Sequence, residues 1–151
     1  MEKDHYIGVD ISKRTIDIAI YVKSQAKKGT FPHETFSNTA EGFKDMKKWL
    51  RKQHVVLSKS LFCMEATGNY TYELCLFLEQ LGVAYSIQSP LHLKRSFGLT
   101  HGKNDKVDAS RIAYYAYLHR EDIKLSKLAS DSVRKLKALI VERKSLVVEI
   151  A

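Results

Sequence analysis

Two short stretches near the start of the chain have the hydrophobic patterns of β-strands. An apolar segment predicts a strand over residues 5–11. Apolar residues at alternate positions, with frequent β-branched residues, predict a second strand over Thr15–Val22. Only Ser12–Arg14 separates the two segments, so they should pair as an antiparallel hairpin. A third strand over residues 31–37 would complete a three-stranded meander.

After the meander, helical spacing and strand-like segments alternate. The first predicted elements are a helix over Glu41–Gln53 capped by Asn38 or Thr39, a strand over 60–65 and a helix over Tyr70–Leu81 that Gly82 ends. A strand over Val83–Gln88 follows, and Ser89–Pro90 should start a short helix near Leu91–Phe97. A helix from about Asp105 to Leu118 and a connector over 119–130 complete the series. This layout predicts an α/β domain with a mixed five-stranded sheet flanked by helices, which is typical of a ribonuclease-H-like domain. Crossover rules place the first and fourth strands side by side at the sheet centre.

The last segment, residues 131–151, has a strongly helical pattern. Its apolar residues form a short coiled-coil-like stripe, which Arg143 interrupts: Val133, Leu136, Ile140, Val147 and Ile150. One more core-packing helix is the alternative interpretation. Because the pattern stops at Ile150–Ala151 without a capping signal, we expect the helix to continue in the natural protein. The predicted division is therefore a catalytic-type domain over 1–125 and the start of a helical connector over 126–151.

The composition is typical of a folded, soluble chain. With 151 residues, 44% of them hydrophobic and 28% charged, the chain is long enough to bury the core of one domain. No apolar run reaches the roughly 18 residues that a membrane span needs. The N-terminus has no signal-peptide pattern, so we expect a cytoplasmic protein. Cys63 and Cys75 lack a metal-binding spacing and should be reduced core residues.

The charge balance favours a polyanionic partner. Lys and Arg number 25 against 17 Asp and Glu, which gives a formal net charge of +8. Each basic stretch on its own is most simply a solvated helix face. If the chain also holds a metal-binding cluster of carboxylates, however, basic residues around that cluster would bind the phosphates of a nucleic acid. The residues expected to contact nucleic acid are Lys13, Lys94, Arg95, Lys103, Lys106 and Arg111.

Four carboxylates occupy positions that suit a metal-dependent nuclease. Asp10 lies near the end of the first predicted strand, Glu65 ends the fourth, and Asp105 and Asp108 are spaced i, i+3 at a predicted helix start. A carboxylate at the end of a buried strand is costly unless its charge is compensated, and a divalent cation would do this. Two Mg²⁺ ions roughly 3.5–4 Å apart can clamp the attacking and leaving oxygens of a phosphoryl displacement. Asp10 is the expected bridging ligand, with Glu65 on one side and the Asp105/Asp108 pair on the other.

Each of these carboxylates also has an ordinary structural interpretation. Asp105 would serve as a helix N-cap with Asp108 as its capping-box partner. Glu65 would accept hydrogen bonds from backbone N–H groups at the start of the next helix, and Asp10 would end its strand in a turn with Ser12. The occurrence of all four carboxylates together favours a metal site. Without a metal, the separate structural interpretations of these carboxylates would all have to be true at once.

Two further polar residues need comment. Asp17 also falls in a strand, but on the alternation it should face solvent, and we exclude it from the site. His101, near the Asp105 loop, is either a proton shuttle or phosphate contact, or more simply a solvated loop histidine. The six His residues show no paired spacing for zinc, and no Gly-rich phosphate loop is present.

Three motifs resemble the signatures of the DEDD transposases of bacterial insertion sequences. They are IGVDISK at Ile7–Lys13, MEATGNY at Met64–Tyr70 and KNDKVDA at Lys103–Ala109. The resemblance covers essentially all of residues 4–120, and the three motifs in this order and at these separations are specific. It implies an N-terminal domain similar to the Holliday-junction resolvase RuvC.

The resemblance implies that Asp10, Glu65, Asp105 and Asp108 are the catalytic, metal-binding residues, with Mg²⁺ as cofactor and Mn²⁺ as substitute. It implies DNA strand cleavage and joining in transposition, and a final helix that leads into a coiled-coil dimerisation segment. The family includes recombinases that work with a structured bridge RNA, and related DNA invertases, so DNA and a guide RNA are the expected partners. Family members continue into a second domain with a nucleophilic serine. Nothing here corresponds to that domain, so integration by this chain alone should fail.

Two other functions are compatible with the sequence. The first is a stand-alone structure-specific nuclease of the resolvase type, which would cleave four-way junctions unaided. The second is a non-catalytic module whose basic faces hold RNA or DNA and whose last helix mediates dimerisation. That module predicts salt-sensitive nucleic-acid binding that Asp10→Asn leaves unchanged.

Overall fold

A computed structural model describes residues 3–22, 31–66, 68–98 and 108–128. Five strands and four α-helices follow one another in these ranges. In chain order they are β1 His5–Ile11, β2 Thr15–Tyr21, β3 His33–Ser37, α1 Ala40–Lys52, β4 Ser60–Glu65, α2 Tyr72–Gln80, β5 Ala84–Gln88, α3 Pro90–Ser96 and α4 Ala109–Leu118. Two short 3₁₀ turns, Leu57–Lys59 and Gly68–Thr71, precede β4 and α2.

The strands form one mixed sheet in the order β3-β2-β1-β4-β5. The first three strands make the predicted antiparallel meander, and β4 and β5 join it in parallel with β1. The central pair is therefore β1 and β4, as the crossover argument predicted. This confirms the five-stranded α/β architecture.

The two faces of the sheet are covered by different helices. On one face, the odd-numbered residues of β1 pack with α1 and α2; Ile7 and Phe43 belong to this cluster. On the other face, Tyr6, Leu61 and Cys63 pack with residues of α4, among them Ile112. Burying apolar side chains of both sheet faces is the main force that holds these layers together. The face under α4 is the one that carries the candidate chemistry.

Helix α4 crosses β1 in very close contact. A Cβ atom placed on Gly8 would lie 2.0 Å from the carbonyl oxygen of Ala109 and 2.4 Å from the nitrogen of Ala113. Only a glycine permits this approach of two backbones. The approach brings the first turn of α4 against the strand that bears Asp10.

Several predicted helix ends are confirmed by side-chain caps. Thr39 accepts a hydrogen bond from the amide of Gly42 and caps α1, and Ser89 caps α3 by accepting from His92. Gly82 follows α2 with a φ of +69°, the left-handed conformation expected of a terminal glycine.

Other boundaries differ from the predictions. The third strand begins at His33 and not at residue 31, and α2 begins at Tyr72 because a 3₁₀ turn occupies the preceding residues. The helix predicted from Asp105 begins at Ala109. The backbone of Asp108 is extended, with ψ of 175°, so the helix cannot run through it.

Both cysteines are buried and free, as predicted. Burial raises the pKa of Cys63 to about 12 and that of Cys75 to about 11. The residues after Leu118 form turns and irregular structure up to residue 128, which agrees with the predicted connector. The helix predicted over 131–151 lies outside the described residues. Within the described part of the chain, no helix has the length and apolar character needed to cross a membrane.

Candidate carboxylate site

A row of polar residues crosses all five strands at one end of the sheet. Thr35 is the Cα partner of Asp17, and Asp17 is the partner of Asp10. Strands β1 and β4 are parallel, and their last pair of Cα partners is Val9 and Met64. Asp10 and Glu65 are the next residues of these two strands. Glu65 in turn is the partner of Gln88. We call Thr35, Asp17, Asp10, Glu65 and Gln88 the polar row.

The polar row lies on the face of the sheet that α4 covers. Side chains alternate between faces along a strand, and the α4 cluster contains Tyr6 of β1 together with Leu61 and Cys63 of β4. Asp10 and Glu65 are in phase with these residues and therefore lie on that face, each of them half-buried. The structure thus brings two of the predicted site residues onto adjacent strands.

Asp108 lies at the N-terminus of α4, where it acts as the helix cap. Its Oδ1 atom accepts a hydrogen bond of 2.9 Å from the backbone N–H of Arg111. The capping role considered for Asp105 therefore belongs to Asp108. A carboxylate has two oxygens, and capping uses one of them. Asp108 is exposed and lines a groove of about 390 Å³ together with Asp17, Thr35 and Ser110.

Asp17 belongs to the polar row, so the prediction that it faces solvent was wrong. Its side chain is half-buried on the same face as Asp10, and its Oδ1 accepts a 2.6 Å hydrogen bond from the Thr35 hydroxyl. The hairpin register contained the signal. The turn over Ser12–Thr15 pairs Ile11 with Ile16, which necessarily pairs Asp10 with Asp17 and directs both side chains to one face.

Gln88 ends the polar row at the other edge and is held by two neighbours. The hydroxyl of Tyr115 in α4 donates to Oε1 of Gln88 at 3.2 Å. The Nε2 of Gln88 donates to Oγ of Ser86 at 2.7 Å, and Ser86 donates to the carbonyl of Lys124 at 2.8 Å. Burial, and to a lesser extent Cys63, raises the pKa of Tyr115, so its hydroxyl stays protonated and able to donate.

An open groove of about 570 Å³ begins at Gln88. It runs between β5, the end of α4 and the segment that follows α4. His92 and His119 line it on either side of Tyr115, whose ring lies 5.9 Å and 4.3 Å from theirs. The lining also includes Lys124 and Asp122. The groove gives solvent and solutes access to the edge of the polar row.

The donor atoms of the site are those that Mg²⁺ prefers, since hard cations take carboxylate oxygens. The described ranges, however, contain no group of three His, Cys, Asp or Glu side chains close enough to hold a metal ion. Asp105 and His101 lie outside the described residues. The residues present therefore fit a divalent metal in the type of donor atom, and of the predicted ligands the structure places Asp10 and Glu65 on adjacent strands.

The predicted nucleic-acid contacts surround the site unevenly. Lys13 is exposed in the turn that follows β1, and Arg111 is exposed in the first turn of α4. Lys94 and Arg95 lie in the last turn of α3, the helix that follows β5. Lys103 and Lys106 lie outside the described residues. The described basic residues therefore lie on three elements: the turn after β1, the end of α3 and the start of α4.

The fold is similar to that of solved RuvC structures. The structure of Thermus thermophilus RuvC aligns with a TM-score of 0.52 at 13% identity, covering 80% of this chain and 98% of that chain. The structure of the same protein in complex with a Holliday junction substrate aligns equally well at 10% identity. The class defined by the fold is therefore a RuvC-like α/β domain.

Sequence comparison gives the family. Residues 7–151 match the model of the IS110-type DEDD transposases, a family described as transposase. The pilin gene-inverting proteins of Moraxella bovis and Moraxella lacunata are each 32% identical to the chain over 141 residues, with 91% of this chain and 41% of each relative covered. The chain belongs to the IS110-type DEDD transposase family, as its three motifs predicted, and spans less than half the length of these relatives.

Proposed function

We propose that this chain is the nuclease domain of a DNA recombinase and uses Asp10, Glu65 and Asp108 to bind divalent metal for DNA strand cleavage and joining. The observation that carries the proposal is the placement of Asp10 and Glu65 on adjacent central strands of a RuvC-like sheet. In a chain of the transposase family, carboxylates at this position would serve to bind the divalent metal for strand cleavage. Asp105 is proposed as the fourth ligand on the strength of its motif.

Mg²⁺, with Mn²⁺ as substitute, is the proposed cofactor. When bound, it would stabilise charge on a phosphoryl group and lower the pKa of a bound water. The protein's contribution is to fix the ligands. Asp10 is held by a strand hydrogen-bonded on both sides, so it is the most rigid of the set and the best bridging ligand. Glu65 would contribute a ligand from β4, and Asp108 would contribute one from the start of α4.

DNA is the proposed substrate. A formal net charge of +8 favours polyanions in general. One RuvC structure that this fold resembles contains a Holliday junction, and the two Moraxella relatives are pilin gene-inverting proteins. We extend the proposal to a structured guide RNA as second partner and to a homo-oligomer formed through residues 126–151, both on family resemblance.

Cleavage of a four-way DNA junction tests the proposal. Supplied with the rest of a full-length family member, the chain should nick a labelled junction in the presence of Mn²⁺, and Asp10→Asn should reduce the rate by about 100-fold, since it removes the central ligand. Asp45→Asn is the matched control, because Asp45 is exposed on α1, a helix of the opposite sheet face. Equal rates for the wild type and Asp10→Asn would contradict the proposal.

The same experiment separates the alternatives. Cleavage by this chain alone would favour a resolvase-type nuclease. Cleavage only after the rest of a full-length family member is supplied would favour a recombinase that needs its second domain. Salt-sensitive DNA binding that survives Asp10→Asn, with no cleavage under either condition, would favour a non-catalytic module.

A further inference from the structure

We propose that Asn38 is a positioning residue for the candidate carboxylate site, because its side-chain amide ties the segment after Asp10 to the segment after Glu65. The hydrogen bonds that carry the inference are independent of any metal. What the positioning is for rests on the proposed function, in which Asp10 and Glu65 bind the same metal centre.

The first observation is where the ladder between the two central strands ends. The last pair of Cα partners of β1 and β4 is Val9 and Met64. Asp10 and Glu65 follow that pair, and each still pairs outwards, Asp10 with β2 and Glu65 with β5. The register therefore does not by itself fix the distance between the two carboxylates, and a tie beyond the strand ends can set it.

The second observation is that Asn38 supplies such a tie. Its Nδ2 atom donates to the carbonyl oxygen of Ser12 at 3.0 Å and to that of Tyr70 at 3.1 Å. Ser12 directly follows β1, and Tyr70 lies in the 3₁₀ turn after β4. We call these two hydrogen bonds the Asn38 clamp. The two carboxylates thus lie between the end of the ladder and the Asn38 clamp.

The third observation is that the surroundings of Asn38 fix the orientation of its amide. Both partners are carbonyl oxygens, which can only accept, so a flipped amide would set Oδ1 against two acceptors. In the observed orientation, Oδ1 is buried and has no hydrogen-bond partner among the described residues. A buried acceptor without a partner is costly. The amide therefore contributes through its two donors and not through its oxygen.

The backbone holds Asn38 in place between β3 and α1. Its N–H donates to the carbonyl oxygen of Arg14, in the turn between β1 and β2, at 2.8 Å. The next residue, Thr39, caps α1 by accepting from the amide of Gly42. A side chain with a fixed base can hold two loops at a constant distance. Residues outside the ligand shell that orient the ligands are typical of metal sites.

Hydrogen exchange of the metal-free wild type, followed by NMR, tests the Asn38 clamp directly. Both side-chain amide protons of Asn38 should exchange much more slowly than those of Gln80, because each is donated to a carbonyl oxygen. Gln80 is the reference, since it is exposed at the end of α2. Exchange of the Asn38 protons at the rate of the Gln80 protons would overturn the proposal.

The variant Asn38→Ala tests what the clamp holds. The backbone amides of Ser12 and Ala66, each bonded to a carbonyl oxygen at 2.9 Å, lie just beyond the two carboxylates. Both should exchange about 5-fold faster in the variant, since each segment loses one hydrogen bond. The amide of Val83, bonded at the end of α2, is the internal reference. An equal change at all three amides would limit Asn38 to general stability and overturn the proposal.

Metal titration tests the use of the clamp. In Asn38→Ala, Mn²⁺ should bind about 10-fold more weakly. Thr39→Ala is the matched control, because it removes the cap of α1 at the adjacent position and leaves both hydrogen bonds of the clamp in place. Wild-type affinity in Asn38→Ala, or an equal loss in Thr39→Ala, would overturn the proposal. Should the wild type bind no Mn²⁺ while Ser12 and Ala66 respond to Asn38→Ala, the proposed metal function would fail and the clamp would stand.

Discussion

Asp10 and Asp17 face each other across the antiparallel pair β1 and β2, with both carboxylates on the sheet face that α4 covers. Like charges on directly opposed residues destabilise a sheet. Thr35 offsets part of this cost by donating a hydrogen bond to Asp17. A cation bound beside Asp10 would offset more of the repulsion between the two carboxylates. The same repulsion would therefore lower the stability of the metal-free fold and raise its affinity for metal.

The substitution Asp17→Asn should stabilise the metal-free fold and weaken metal binding. Asp17→Asn removes one of two like charges and leaves Oδ1 able to accept from Thr35. The free energy of unfolding without metal should rise by about 0.5 kcal/mol, measured by urea denaturation. Mn²⁺ affinity should fall severalfold, measured by calorimetry. An unchanged affinity would remove Asp17 from the site, and Asp45→Asn, on the opposite sheet face, controls for net charge.

Asp108 can be tested for two separable roles. Asp108→Ala removes the cap of α4 and should lower the free energy of unfolding by about 1 kcal/mol. Asp108→Asn keeps a capping oxygen, since Asn caps about as well as Asp, and should leave stability near that of the wild type. Both variants should bind Mn²⁺ more weakly, because both lose the carboxylate charge. Full metal affinity in Asp108→Asn would limit Asp108 to capping.

Gly8 sets the distance between α4 and the polar row. Gly8→Ala would drive a methyl group into the backbone of α4, and the free energy of unfolding should fall by about 3 kcal/mol. Gly82→Ala is the comparison, since Gly82 has a positive φ but open space around it; it should cost about 1 kcal/mol. Equal effects in chemical denaturation would show that the close helix approach contributes little.

The buried thiols predict how stability depends on pH. Burial raises the pKa of Cys63 to about 12 and of Cys75 to about 11, from an ordinary value of 9.0. A raised folded pKa means that the native state disfavours the thiolate. The stability that the protonated thiols contribute is therefore fully present below about pH 9, and it is lost as the pH rises towards the pKa values of the folded state. Urea denaturation from pH 7 to 11 should show this decline, and Cys75→Ala should make it shallower. A decline of equal slope in that variant would contradict the assignment.

Strand alternation and capping residues were sufficient to predict most of the fold. The meander, the adjacency of β1 and β4, the Thr39 cap and the Gly82 helix end all follow from local patterns. The start of α4 did not, because Asp105 and Asp108 are equally good caps and only tertiary packing at Gly8 distinguishes them. The sheet face on which Asp17 lies does not follow from the alternation in β2 alone, because it depends on the register of β2 with β1. The hydrogen bond that holds Gln88 carries no local signal, since its partner Tyr115 lies 27 residues further along the chain.

Anomalous diffraction from crystals soaked in Mn²⁺ tests the central claim most directly. The account predicts a peak coordinated by Asp10 and Glu65, with Asp108 beside it, and no peak in Asp10→Asn crystals. The same soak with bound junction DNA would place a phosphate oxygen on the metal. Absence of Mn²⁺ at Asp10 and Glu65, both in the free protein and with DNA bound, would contradict the account.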